Sequence, residues 1–308
     1  MSKIKIDCVQ STLDLKSKAF LKDKILVDEL VLGYQKQFNI NVEKYFNGIK
    51  EVKVYECEST KYRFFYPFGI DGDGMFYESL QKFDWYYMPW KWEHEMTMNL
   101  LKGNEKVLEV GCGGLGFMQH LSKAGFDVYG LELNLESVEK AKKNNLNVLP
   151  ETVEMHSINN YEKYDLVCSF QVLEHISNVN AFITAQIDCL KKGGKLVVSV
   201  PNNDSFIKYS KGGLLNFPPH HMGLWNKKSL TNLVNIFNLQ VDKVTYEPLQ
   251  DYHFDWYISS VFNNFISKNK IFKIIFNRYT FKKIFKFFVS KTRYKIHGHT
   301  VNVIFTKI

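Results

Sequence analysis

Residues 109–116 read Glu-Val-Gly-Cys-Gly-Gly-Leu-Gly, with Gly111, Gly113 and Gly116 in GxGxxG order and Cys112 between the first two. Glycine permits sharp turns and lets a ligand approach the backbone where a side chain would obstruct it. The loop follows the apolar run KVLEV and opens the amphipathic stretch FMQHLSKAG. Its amides are therefore placed to meet an anionic or polar group at a helix start. Glu132, in GLELN, ends the next apolar run, where a carboxylate can accept both hydroxyls of a ribose. Nicotinamide dinucleotides and S-adenosylmethionine (SAM) both use such a pair. Glu109 separates the two, because a carboxylate two residues before the first glycine repels a pyrophosphate. A cofactor carrying an ammonium and a sulfonium tolerates it.

Histidine is the usual side chain for removing a proton near neutral pH. His220 and His221, in FPPHHMGLW, follow the fifth apolar run of the series and are held by two prolines. That end of an open α/β sheet is where ligands bind. They are the first candidates for a catalytic base, with His253 in DYHFDWY and His175 in VLEHI next in order. The run WYYMPWKW, residues 85–92, precedes the glycine loop; its functional reading is a lid over the cofactor, with the Tyr87 hydroxyl on a carboxylate. Asp71 and Asp73 in DGDG lack the further ligands of a calcium loop and read as a turn.

These side chains need a frame. From residue 106 the chain alternates apolar runs with helical patterns: KVLEV, DVYGLEL, DLVCSF and KLVVSVPN are strands, and the segments between them amphipathic helices. Apolar strands joined by helices make a parallel sheet covered on both faces. VDKVTYEPL and TVNVIFTKI read as the last two strands, with a basic aromatic segment inserted between them. The expected architecture is α/β, a doubly wound, mostly parallel, seven-stranded sheet with a small N-terminal region and a helical insertion before the last strand. Residues 1–80 form the N-terminal region, 81–250 the cofactor domain, 251–299 the insertion and 300–308 the closing strand.

Composition bounds the function. The 308 residues are 45% hydrophobic without an apolar run near membrane-spanning length. The N-terminus lacks the apolar core of a secretory signal, so a cytoplasmic protein is expected, with contact at the inner face of the membrane as an extension. Five cysteines, Cys8, Cys57, Cys112, Cys168 and Cys189, are odd in number and unpaired in spacing. That pattern gives neither a disulfide framework nor a zinc knuckle, and no metal is expected. The net charge is +8, and residues 251–308 carry +9 of it, against −1 for the rest. In residues 261–295, Phe272, Ile275, Phe276 and Tyr279, and again Phe281, Ile284, Phe285 and Phe288, recur at helical spacing among lysines. Such a segment suits either docking onto the body of the protein or an anionic membrane surface.

VLEVGCGGLG, GLELN, YDLVCSFQVLEHI, LKKGGKLVVSVPN and PPHHMGLW, in this order, resemble the class I SAM-dependent methyltransferases, above all a bacterial subgroup associated with polysaccharide biosynthesis. The resemblance implies a SAM loop of Glu109, Gly111, Cys112, Gly113 and Gly116, with Glu132 on the ribose and Leu133 beside the adenine. It places Phe170 and Gln171 along the methionine part; the acidic adenine contact common in the family after the third strand is absent from LPETVEMHS, where Thr152 and Val153 stand in its place. The implied function is methylation of a hydroxyl on a sugar, glycan precursor or other small molecule. An NAD(P)-dependent oxidoreductase is the rival that Glu109 opposes. A nucleic-acid methyltransferase is the rival suggested by the basic tail; SFQVLEH stands where an amino-methylating motif would be, so no nucleic-acid partner is expected.

Overall fold

The computed structural model describes residues 7–83, 85–86, 88–210, 213–268 and 278–308, with side chains described outside 266–281. Seven strands form the main sheet: β5 (Lys106–Val110), β6 (Asp127–Leu131), β7 (Asn147–Leu149), β8 (Tyr164–Phe170), β9 (Leu190–Pro201), β11 (Leu239–Pro248) and β12 (His297–Lys307). Their order is β11-β12-β9-β8-β5-β6-β7, parallel except that β12 runs against both neighbours. This is the doubly wound sheet expected from the apolar runs.

In β5, Val107, Leu108, Glu109 and Val110 are all buried, which is why the strand reads as a continuous run rather than an alternation. One face packs on α4 (Gly116–Lys123) and α5 (Leu135–Lys143), through Phe117, Met118, Leu121 and Val138. The other packs on α7 (Val179–Cys189), through Val179, Phe182 and Ile183. Asn134 caps α5 by accepting from the Ser137 amide, and Thr152 caps α6 (Val153–Asn159) by accepting from Met155. The helical pattern after Pro89 becomes α3 (Trp92–Met98). KKSLTNLVNIFNL is helical only over α8 (Lys227–Thr231) before tightening into a 3₁₀ turn; Thr231, Asn232 and Asn235 are weak helix formers.

The N-terminal part is more regular than its sequence suggests. The strands β1 (Cys8–Gln10), β2 (Lys18–Leu26), β3 (Glu51–Cys57) and β4 (Arg63–Tyr66) form an antiparallel sheet, flanked by α1 (Val27–Phe38) and α2 (Gly74–Gln81). A fifth strand comes from far along the chain: β10 (Gly223–Leu224) pairs with β4, Gly223 opposite Phe64. Tyr62 and Trp225, ring centroids 4.1 Å apart and both buried, lock this junction. Asp73 is the cap of α2, accepting from the Phe76 amide, and it also binds Lys44 and Tyr45; these contacts hold its carboxyl down at about 2.

Between β11 and β12 lie α9 (Asp251–Lys268) and α10 (Arg278–Thr292). Phe254, Trp256 and Tyr257 of α9 and Phe285 and Val289 of α10 pack with Phe206 and Leu249. Phe272, Ile275 and Phe276 of the basic segment lie outside the described residues, and the side chains of Tyr279 and Phe281 likewise. Among the described residues, no helix is long and apolar enough to cross a membrane.

Candidate active site

One cavity of about 2040 Å³ opens at the carboxyl ends of the parallel strands. The glycine loop borders it between β5 and α4. Gly111 has φ +76° and Gly113 +33°, the left-handed region that favours glycine. A Cβ on Gly111 would come within 2.5 Å of Val172, and one on Gly116 would run into the Pro89 carbonyl. Gly116 thus owes its identity to the segment leading into α3. The Gly111 amide donates to the Leu131 carbonyl at 2.8 Å, tying the loop to the end of β6.

Glu132 organises the loop. It accepts from the Gly113 amide at 2.7 Å and from Asn134 at 2.8 Å. Glu109 is buried, and its Oε2 has no hydrogen-bond partner among the described residues. Burial pushes its carboxyl well above the usual range, the Glu132 charge adds to this, and the Lys91 charge opposes it. A buried carboxylate oxygen lacking a partner beside a glycine loop fits a ligand bearing positive charge and does not fit a pyrophosphate. The SAM reading passes this test. Cys112 is buried, with its thiol pushed well up by burial and by Glu109 and Glu132, so it stays neutral.

Leu133 lies exposed on the cavity rim, which Thr152 and Val153 also line. Phe170, buried at the end of β8, packs edge-on against Phe117 and His94. Gln171 has φ +56°, and its amide nitrogen reaches Glu93 at 3.2 Å and Thr300 at 3.3 Å. Tyr87 lies outside the described residues. Lys91, which the aromatic run conceals in sequence, lines the cavity, and its charge bears on Glu109, Glu174, His175, His253 and His299.

The far wall carries the histidines. His220 and His221 are buried and stacked, ring centroids 4.5 Å apart, and His175 stands edge-on to both. Each ring has its Nδ1 on an oxygen. His175 Nδ1 is 2.6 Å from the His220 carbonyl, and His220 Nδ1 is 2.7 Å from the Leu215 carbonyl. His221 Nδ1 is 3.2 Å from Asn216 Oδ1. The last assignment follows from a chain of amides. Asn203 Nδ2 donates to the Pro201 and Trp225 carbonyls, so Asn203 Oδ1 accepts from Asn216 Nδ2 at 2.8 Å. Asn216 Oδ1 is thereby turned to His221. A neutral imidazole with a proton on Nδ1 offers a lone pair on Nε2. Tyr86 Oη sits 2.9 Å from His220 Nε2 and donates to it. Burial drives all three rings toward the neutral form, holding His175 down at about 4 and His220 and His221 well below the usual histidine range.

Glu247 at the end of β11 and α9 of the insertion line the cavity on the side of the last two strands. Glu247 accepts from Tyr252 Oη at 2.7 Å and from the Thr300 amide at 3.2 Å, and burial raises its carboxyl to about 7. His253 and Trp256 line the same wall.

A glycine loop, a ribose-type acid and a cavity at the strand ends therefore occupy one site. A family profile described as "Methyltransferase domain" matches residues 85–244, more than half of the chain. The chain belongs to the SAM-dependent methyltransferases. This methyltransferase is 32% identical over 106 residues to a ubiquinone biosynthesis O-methyltransferase of Escherichia fergusonii, and 31% identical over 106 residues to one of Salmonella enteritidis. Each match covers 32% of this chain and 44% of the relative, so the methyltransferase spans less than half the length of these proteins. A SAM-dependent methyltransferase structure from Archaeoglobus fulgidus is 18% identical, with a TM-score of 0.48, over 69% of this chain and 90% of the other.

Proposed function

We propose that this methyltransferase transfers a methyl group from SAM to a hydroxyl of a small-molecule acceptor held between the glycine loop and the three histidines. The observation that carries the reading is the set of neutral imidazoles, His175, His220 and His221, that line the same cavity as the loop and Glu132. SAM, when bound, supplies a methyl carbon made electrophilic by its sulfonium. Glu132 would hold the ribose, Glu109 would face the positive end, and Lys91 would meet the carboxylate by charge complementarity. The chain's remaining task is to align the acceptor oxygen and take its proton.

His221 is the favoured base of the pair His220 and His221. Both nitrogens of His220 are engaged, by Leu215 and Tyr86, whereas His221 keeps its proton on the Asn216 side. The acceptor is a sugar or glycan precursor or another small hydroxyl compound; the relatives named for O-methylation in ubiquinone biosynthesis share the hydroxyl chemistry. Turnover on a panel of sugar-nucleotide, glycan and phenolic acceptors, followed by release of S-adenosylhomocysteine, tests this. His221→Ala should lower turnover by roughly 10²–10⁴ with SAM affinity retained. Full turnover in both His220→Ala and His221→Ala would remove the pair from the chemistry.

The insertion suits peripheral contact with an anionic membrane from the cytoplasmic side. On α10, Ile284, Phe287 and Phe288 are exposed among Lys282, Lys283 and Lys291.

A further inference from the structure

We propose that His175, His220 and His221 form a binding site for one divalent transition-metal ion, with the remaining coordination position open to the cavity. The ligand-bearing nitrogens of the three rings lie within 4.8 Å of one another. Three imidazoles with one open position are a recurrent catalytic arrangement for Zn²⁺, and imidazole also suits Fe²⁺, Co²⁺ and Ni²⁺.

The geometry beyond the ring atoms is what singles out this cluster. A metal-binding histidine donates its other ring N–H to a carbonyl or amide oxygen, which fixes the tautomer and the ring plane. All three rings here do so: His175 to the His220 carbonyl, His220 to the Leu215 carbonyl, His221 to Asn216 Oδ1. Three oxygen acceptors thus favour the same tautomer, and one nitrogen of each ring lies within 4.8 Å of the others. Two prolines before His220 and the strand pairing of β10 just after His221 hold two of the ligands rigidly. Tyr86 Oη now donates to His220 Nε2; the ion takes the place of that proton, and the phenol must turn aside.

The role of the ion rests on the acceptor reading above, with the ion replacing His221 as the activating group: the open position would bind the acceptor hydroxyl and lower its pKa, its proton would leave to solvent, and the bound oxygen would face the methyl group. Its binding does not depend on that reading.

The test is Co²⁺ titration of the full-length protein, followed by the visible absorption of the bound ion, with SAM affinity measured by calorimetry on the same sample. One equivalent should bind, with the spectrum of a four- or five-coordinate nitrogen site. Asn216→Leu, which leaves the ligands in place but removes the oxygen behind His221, should weaken Co²⁺ binding by about 10–100-fold. Tyr86→Phe should strengthen it. His175→Ala and His221→Ala should abolish the stoichiometric step. A wild type that binds SAM but takes up no Co²⁺ overturns the metal site while leaving the methyltransferase reading intact. Stoichiometric binding that survives both histidine variants places the ion elsewhere and overturns it too. Co²⁺ binding without SAM binding would uphold the metal site and defeat the methyl-transfer reading.

Discussion

The Pro89 carbonyl sits over Gly116 in the space that any side chain there would fill. The first residue of α4 is therefore pinned beneath the segment that carries Lys91 into the cavity. Gly116→Ala forces a Cβ into backbone, which cannot swing away as a side chain would. The expected cost is about 1–3 kcal/mol, as for other overpacked positions. Urea melts of wild type and variant should show it, with weaker SAM binding as Lys91 and the loop separate. An unchanged melt would mean that the two segments do not pack this way.

Glu132 serves two amides at once, and Glu132→Ala leaves both without their acceptor. Hydrogen bonds to a charged group contribute about 1.5–3 kcal/mol. Affinity for SAM and for S-adenosylhomocysteine should fall together, by roughly 10–100-fold at about 1.4 kcal/mol per decade. Calorimetry showing wild-type affinity in this variant would take Glu132 out of the cofactor site.

Glu247 predicts a pH dependence of stability. Its folded carboxyl is raised to about 7 by burial, with Glu93 adding repulsion while Tyr252 and Thr300 pull the other way. The folded state therefore binds this proton more tightly than the unfolded chain. Its contribution is fully present below the ordinary glutamate range and declines as pH rises to about 7. At about 1.4 kcal/mol per unit, the decline sums to about 3 kcal/mol. Glu247→Gln should gain on the wild type by that amount between pH 4.5 and 7.5. A difference between the two proteins that stays constant across this range would refute the assignment.

Lipid contact through α10 predicts binding to vesicles containing acidic phospholipid, weakened by salt. Each lysine near such a surface contributes about 1 kcal/mol. Lys286 pairs with Asp255 at 2.5 Å, and the variant that tests the contact is Lys282→Glu, Lys283→Glu and Lys291→Glu together. It should lose sedimentation with the vesicles while keeping its melting temperature. A wild type that ignores acidic vesicles at low salt leaves α9 and α10 as a cover for the cavity alone.

The main sheet was legible because strands buried on both faces leave near-continuous apolar runs, interrupted in Val107–Val110 only by Glu109, that nothing else in a chain of this composition explains. The glycine loop and Glu132 were legible because their chemistry is local. The N-terminal sheet was obscure: β1 has three residues, β4 four, and β10 only two, inside PPHHMGLW, where no periodicity can register. His175 ranked behind His220 and His221 because its partners, His220 and Tyr77, lie 45 and 98 residues away along the chain. Lys91 was hidden as the one charge in an aromatic run, and the burial of Glu247 and Glu174 cannot be seen from sequence at all. Both facts depend on which elements close over them.

The pairing of β10 with β4 ties the histidine loop to the N-terminal sheet. Gly223 follows His221 by a single residue, and it is stitched to Phe64. A chimera exchanged at residue 80 would inherit the histidine loop from one parent and the sheet edge that seats it from the other. The glycine loop would survive the exchange; the acceptor wall would not. In such a protein the two ends of the active site have separate inheritances, and a lineage changing its acceptor must alter the N-terminal sheet and the histidine loop together.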